Sequence, residues 1–469
     1  MSDFIYILIA FFTAALTSAL LLPWILKHSY AQGLYKLRNE HSRKSNGVPR
    51  FAGTVLAPSV LMGASLAVVL MNEGEGLDQS IKTSTMLLAC GVMMIYLIGL
   101  LDDLFALSAK LRFFIQLLSA CTLPLCDLFL HNLHGLWGIE SMPVYAGVIL
   151  TVVGVVLVVN AVNMIDGIDG LASIFSIICF LCFGFCFWDA SNMIYCYISA
   201  AMIGALAVFL YYNMFGSVEK KTKIYMGDSG SMLLGFSLAY LSIKYIVAED
   251  EASVDVSARI LLCISLLFVP CVDLCRVVLE RIAHGEHPFM PDKRHIHHRL
   301  MSAGIFGNFT LAGVLALSLL FMVMNALLYS LGCSLSLVVS ADIVLYIILM
   351  ILLSRKVRSF ERTQLMSETV RERFAENAVK AKKICILTPR FPVPENGGDV
   401  LRINNIARQL KRDGYELVLV SFEDDGMPQI FEAERIYDKV YTVHRNRFNS
   451  LWQSLRHLFM GRAMQCGYY

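Results

Sequence analysis

The chain has 469 residues, of which 57% are Ala, Val, Ile, Leu, Met, Phe, Trp, Tyr or Cys and only 16% are charged, against about a quarter charged in ordinary soluble domains. This composition excludes a soluble enzyme, and the near balance of Lys plus Arg (39) with Asp plus Glu (37) gives no sign of a nucleic acid polymer as partner. Most of the 13 cysteines lie in apolar runs, as small hydrophobes in a reduced setting do.

Apolar runs approach the length that crosses a bilayer, about 20 residues, near residues 4–26, 51–71, 84–101, 113–130, 143–160, 171–188, 193–212, 230–248, 259–279, 310–331 and 336–353. The first has Asp3 before it and no small-residue cleavage site after it, so it reads as an anchor, not a removed leader. Charge tests the count independently. Alternate connections hold Lys27, Lys36, Arg38, Arg43, Lys44 and Arg50, then Lys110 and Arg112, then Lys220, Lys221 and Lys223. The same set continues with Arg281, Lys293, Arg294 and Arg299, and ends with Arg355, Lys356 and Arg358. The remaining connections are acidic or neutral, with Glu73, Glu75, Asp78, Glu249, Asp250, Glu251 and Asp255. The positive-inside rule then places the N-terminus outside and the C-terminus inside. Eleven spans keep this segregation; an even number would scramble it.

Carboxylates collect at the inner ends of the spans. Asp102 and Asp103 close the third. Asp166 and Asp169 follow the fifth, in Asn160-Ala-Val-Asn163-Met-Ile-Asp166-Gly-Ile-Asp169-Gly170, and Asp228 opens the eighth in Met226-Gly-Asp-Ser-Gly-Ser231. A single acid at a helix end is usually a cap, but several clusters on one face point to function, because intramembrane charge is expensive. Glycines beside the acids allow close backbone approach to phosphate. One or two carboxylates plus substrate phosphates is how Mg²⁺ is held. No loop presents the ligand series of an EF-hand.

The connection after the ninth span contains Pro288-Phe-Met-Pro-Asp-Lys-Arg-His-Ile-His-His-Arg299. A zinc cluster at His295, His297 and His298 lacks cysteine or acid at metal spacing. Beside Lys293, Arg294 and Arg299 these histidines suit hydrogen bonding to phosphate or sugar. Asp273 and Arg276 form a helix-interior pair open to a structural or a functional reading.

These residues resemble the polyprenyl-phosphate N-acetylhexosamine-1-phosphate transferases. The resemblance covers about residues 1–355 and rests on the paired Asp102 and Asp103, NAVNMIDGIDGLA at 160–172, KIYMGDSGS at 223–231 and HIHH at 295–298, in family order. The HIHH form with eleven spans is closer to the branch using small UDP-sugars than to the ten-span muramyl-pentapeptide branch. It implies attack by an isoprenoid phosphate oxygen on the sugar-proximal phosphorus of a UDP-HexNAc, UDP-GlcNAc by default, with release of UMP. The acceptor would be undecaprenyl phosphate. The implied cofactor is Mg²⁺, with Mn²⁺ as the alternative, held by Asp228 and helped by Asn163. The implied catalytic set is Asp102, Asp103 and Asp228, the pair at 102 and 103 positioning or deprotonating the lipid phosphate. Substrate contacts fall at Arg43, Lys44, Lys110, Asn160, Asp166, Asp169, Lys223, His295, His297, His298 and Arg299. Asn213 stands either as a nucleotide contact or as a helix terminus. The implied location is the bacterial inner membrane with the site facing the cytoplasm, and a homodimer is open.

Composition changes after Ser354. Residues 355–381 read as a charged linker helix, and 382–469 as a small α/β segment, with strands at Lys382–Thr388 and Glu416–Ser421, a turn at Glu395–Asp399 and an amphipathic helix over Val400–Arg412. This segment resembles the opening of a GT-B glycosyltransferase without its donor half, compatible with a truncated fusion or with a docking module for downstream glycosyltransferases. The expected architecture is an all-α polytopic membrane domain over 1–354, the linker, and a partial Rossmann-like tail. Two rivals stay open. CDP-alcohol phosphotransferases carry an Arg and later spaced acids that DGIDGLA lacks, and a transporter would place its acids mid-span within inverted repeats.

Overall fold

A computed structural model describes residues 2–31, 48–72, 83–189, 192–248, 255–287, 294–380, 383–388, 391–392, 398–423 and 430–444. The chain divides into two compact units, Met1–Met301 with Phe306–Ser354, and Ser302–Ile305 with Arg355–Tyr469.

The first unit is a helical bundle. Its helices are α1 (Ser2–Ala31), α2 (Leu56–Asn72), α3 (Thr83–Phe105), α4 (Ala109–Cys121), α5 (Val144–Ile165) and α6 (Leu171–Asp189). They continue with α7 (Met193–Phe215), α8 (Gly227–Val247), α9 (Val256–Ala283), the short α10 (Ile296–Ser302), α11 (Asn308–Ser330) and α12 (Leu335–Lys380), whose residues past Ser354 belong to the second unit. Among the described residues eleven helices are long and apolar enough to cross a membrane, the number expected from hydropathy and charge. Helices are the natural solution for such runs, since in hydrocarbon every backbone polar group must be satisfied within the segment.

Three boundaries differ from expectation. The fourth apolar span covers Ala109–Cys126, α4 with the short turn after it, earlier than the expected 113–130, because Ser108 caps its start by accepting the Leu111 amide. The chain then forms a hairpin, β1 (Asn132–Leu136) with β2 (Ile139–Ser141), that hydropathy alone does not reveal. The charged stretch after Ser354 is not a separate linker helix, as α12 runs unbroken to Lys380.

The most enclosed span is α8, 78% of whose most apolar window is buried. Its neighbours touch it through small residues. A Cβ on Gly99 of α3 would lie 2.5 Å from the Ser229 Cα, and one on Gly235 of α8 would lie 2.6 Å from the Val159 Cα of α5. Close backbone approach of this kind replaces the hydrophobic drive that lipid does not supply. The result brings the ends of α3 and α5 against the start of α8.

The hairpin closes the far end of the bundle. Leu136 packs with Ile260 and Leu261 of α9 and with Leu335, Val338 and Val339 of α12. The Trp137 amide donates to the Ser336 hydroxyl at 2.7 Å, and its indole N–H to Ser340 at 3.2 Å.

In the second unit β3 (Lys383–Thr388), β4 (Glu416–Glu423) and β5 (Lys439–His444) form a parallel sheet in that order, with α13 (Gly398–Arg412) and α14 (Ile430–Ala433) in the crossovers. The expected strands and amphipathic helix are present, and residues 393–397 of the expected turn lie outside the described set. Leu417 and Leu419 pack with Ala407, Ala433 and Tyr437 in a small core.

Candidate active site

Three connections converge at one end of the bundle. The end of α3 supplies Asp102 and Asp103, the end of α5 supplies Asn163 and Asp166, and the start of α8 supplies Asp228. Asp103 reaches across to α8, where its carboxylate accepts the Asp228 amide at 2.8 Å and the Ser229 amide at 2.9 Å. These are amides that a helix start leaves without partners, and a carboxylate also complements the positive end of the helix dipole. Gly227 makes the approach feasible. Its φ is +73°, and a Cβ there would lie 2.1 Å from the Arg50 carbonyl and 2.6 Å from Asp103 Oδ2.

Asp102, fully buried, accepts the Leu107 amide at 2.7 Å and the Arg112 guanidinium at 2.9 Å. The same Arg112 nitrogen lies 3.3 Å from Asp228 Oδ2, so one guanidinium bridges two carboxylates. Asp228 Oδ1 accepts from the Asn163 amide at 2.8 Å, and that amide also donates to Ser231. Asp166 caps α5. Its carboxyl is held well above the usual carboxylate range, first by burial, then by the negative charges of Asp228, Asp103 and Asp169.

The excess of carboxylate over cation suits a divalent metal. Asp228 offers carboxylate oxygen of the kind Mg²⁺ takes, with substrate phosphate and water completing the shell, and Asn163 would join it through its Oδ1, its Nδ2 being bonded to Asp228. Among the described residues no cluster of three His, Cys, Asp or Glu could hold a metal from side chains alone. The residues therefore fit an ion shared with a phosphorylated substrate better than a closed structural site.

Arg112 was not among the sequence candidates. Lys110, which was, is exposed on α4, whereas Arg112 turns to the acids. The signal available was Ser108 as helix cap, which places residue 112 one turn inside α4. Arg43 and Lys44 lie outside the described residues. Asn160 donates to the Gln116 side chain at 2.8 Å and so ties α5 to α4. Lys223 pairs with Asp169 at 2.7 Å and also donates to the Asn213 carbonyl. Asn213 is buried, accepts the Gly170 amide at 2.7 Å and donates to the Ile224 carbonyl at 2.8 Å, so it braces the loop carrying Asp166 and Asp169.

The histidine segment meets this loop. A Cβ on Gly167 would lie 2.3 Å from the His297 ring nitrogen, so the ring rests on the Asp166-Gly167 backbone. His295 and His297 are buried with rings 6.1 Å apart and nearly parallel, and His298 lies 4.3 Å from His297. Arg299 donates to Glu280, Ser354 and the Arg294 carbonyl, which ties α10 to α9 and α12. Asp273 and Arg276 form a direct pair at 2.6 Å.

Residues 85–246 match the family described as Glycosyl transferase family 4, so the resemblance read from the motifs is also found by direct comparison. The chain is 28% identical over 276 residues to undecaprenyl-phosphate alpha-N-acetylglucosaminyl 1-phosphate transferase of Yersinia pestis, covering 58% of this chain and 70% of that protein. It is 32% identical over 232 residues to the protein of that name from Escherichia coli O157:H7, covering 48% and 60%. For the Haemophilus influenzae protein of that name the figures are 31% over 216 residues, 46% and 59%. The chain thus spans about 60–70% of the length of these relatives.

Proposed function

We propose that this chain, with its family 4 segment at 85–246, transfers HexNAc-1-phosphate from a UDP-HexNAc, UDP-GlcNAc by default, to undecaprenyl phosphate, giving UMP and a lipid-diphosphate-linked sugar. The observation that carries the reading is the convergence of Asp102, Asp103, Asn163 and Asp228 with Arg112 at one end of a polytopic bundle. Two anionic substrates must meet there, and a phosphate nucleophile is already largely ionised near neutral pH. The demand on the site is therefore charge neutralisation and alignment more than proton abstraction.

Each residue has a task on this reading. Asp103 fixes where Asp228 stands, Asn163 orients the Asp228 carboxylate, and Arg112 offers a guanidinium able to turn from Asp102 toward a lipid phosphate. A bound Mg²⁺ or Mn²⁺ would supply Lewis-acid neutralisation of the pyrophosphate, held by Asp228 and Asn163. The His297 ring over Gly167 and the Lys223–Asp169 pair form the nucleotide side. The site faces the cytoplasm of the bacterial inner membrane, since the basic connections lie at that end. Residues 1–354 make up the transferase, and 382–469 are an appendage without a part in the transfer.

The test is UMP release by the purified full-length protein in nanodiscs, given labelled UDP-GlcNAc, undecaprenyl phosphate and Mg²⁺. Lipid-dependent UMP supports the reading. A protein that releases no UMP yet carries substrate across vesicles would establish the transporter instead.

A further inference from the structure

Asp273 lies in the interior of α9, 2% exposed, and all its acceptor positions are taken. Oδ1 accepts the Arg276 guanidinium at 2.6 Å and the Tyr346 hydroxyl at 2.9 Å. Oδ2 faces His295 Nδ1 at 2.9 Å and accepts the Ile296 amide at 3.1 Å. A carboxylate only accepts, so the proton of that contact sits on Nδ1. The remaining His295 nitrogen, Nε2, is buried with no hydrogen-bond partner among the described residues.

The charges around the ring are already balanced. Asp273 and Glu280 stand against Arg276 and Arg299, through contacts of 2.6, 2.8 and 2.8 Å. A proton on Nε2 as well would leave a buried N–H with no acceptor among the described residues. Among the described residues, Tyr346 of α12 and His297 of α10 approach this pair from other elements, and neither is a carboxylate.

We infer that Asp273 is a positioning residue that holds His295 as the neutral Nδ1–H tautomer, so that its Nε2 lone pair takes an N–H or O–H donor of the sugar nucleotide, not a phosphate oxygen. An acetamido N–H, a sugar hydroxyl and the uracil imide are the donors such a ligand offers. The arrangement also fixes His297, whose ring stacks on that of His295 and reaches Gly167 beside Asp166. A carboxylate in the membrane-spanning part of α9 thereby sets the register of the histidines against the acid loop. This assignment rests on the transferase reading for the identity of the ligand, but the tautomer can be observed without turnover.

The experiment uses full-length protein in nanodiscs, labelled with ¹⁵N-histidine, with His295 assigned by comparison with His295→Gln. The expected spectrum shows a protonated Nδ1 and an unprotonated Nε2, the latter shifting on addition of UDP-GlcNAc while staying unprotonated. Asp273→Asn should abolish the single tautomer and raise KM for UDP-GlcNAc about tenfold or more, with KM for undecaprenyl phosphate changed by no more than roughly twofold. Tyr346→Phe, a milder change that removes one oriented hydrogen bond, should move both readouts the same way by a smaller amount and serves if Asp273→Asn does not fold. A doubly protonated His295, or an unaltered KM for UDP-GlcNAc in variants that merely melt earlier, overturns the inference. Absence of UMP from the wild type would sink the transferase reading, and the nitrogen spectrum with and without UDP-GlcNAc would still decide this one.

Discussion

The Asp103 carboxylate takes the backbone amide of Asp228 at 2.8 Å, so one acid of the cluster is held in place by another across two helices. This relation separates the roles of three aspartates that look equivalent in the sequence. Asp103 is a cap, Asp102 is the buried anchor of Arg112, and Asp228 is the acid with an oxygen turned toward Asn163.

Asp228→Asn keeps the side-chain size and removes its charge. UMP release should fall about a hundredfold or more, as for loss of a group that stabilises developing charge. Added Mg²⁺ should not restore it. A variant within a few fold of the wild type in a steady-state assay would remove Asp228 from the metal role.

Arg112→Lys should be nearly as damaging as Arg112→Ala for turnover, because an ammonium cannot span Asp102 and Asp228 as a planar guanidinium does. The alanine variant should also melt earlier, since it removes the guanidinium that the fully buried Asp102 accepts. Comparing melting temperatures with UMP rates distinguishes the two effects. Equal activity of Arg112→Lys and the wild type would count against the bridging role.

Asp166→Asn should stabilise the metal-free protein at neutral pH. The folded state holds this carboxyl above its unfolded value, so between the unfolded value and the raised folded one its ionisation opposes folding. The opposition persists at higher pH and disappears in acid, below the unfolded carboxylate value of about 4. Melting curves in EDTA from acid to neutral pH should therefore show the variant gaining on the wild type as pH rises. A gain confined to acid would reverse the sign and the assignment.

Gly227→Ala should abolish transfer with the helices still inserted, because the residue has φ of +73° and its Cβ would meet the Arg50 carbonyl at 2.1 Å. Far-ultraviolet circular dichroism close to wild type, with no UMP released, is the expected pair of results.

Truncation after Lys380 should leave UMP release intact, since every side chain of the acid and histidine clusters precedes residue 300. A stably inserted but inactive truncation would make residues 382–469 part of the transferase.

The spans and the acids were legible because each rests on a local rule, namely a run of apolar residues or a carboxylate where hydrocarbon forbids one. Arg112 was not, as a basic connection gives several cations equal standing until the phase of α4 is known. That phase depends on Ser108, which turns Lys110 outward and Arg112 to the acids. Asp273 looked like half of a helix pair, and its contact with His295 crosses 22 residues that no period connects. The hairpin was hidden for a different reason. Its strands are short, and the positive φ at Gly135 and Gly138 is a backbone property that composition between two apolar runs does not announce.

That hairpin bears on how a lipid could enter. Trp137 is tied to α12 by two hydrogen bonds while Leu136 is wedged between α9 and α12, so the helices are pinned to one another at the pole opposite the acids. Any spreading of α9 from α12 to admit a long hydrocarbon tail would have to break both this pin and the Tyr346–Asp273 hydrogen bond, so the two helices stand as one wall.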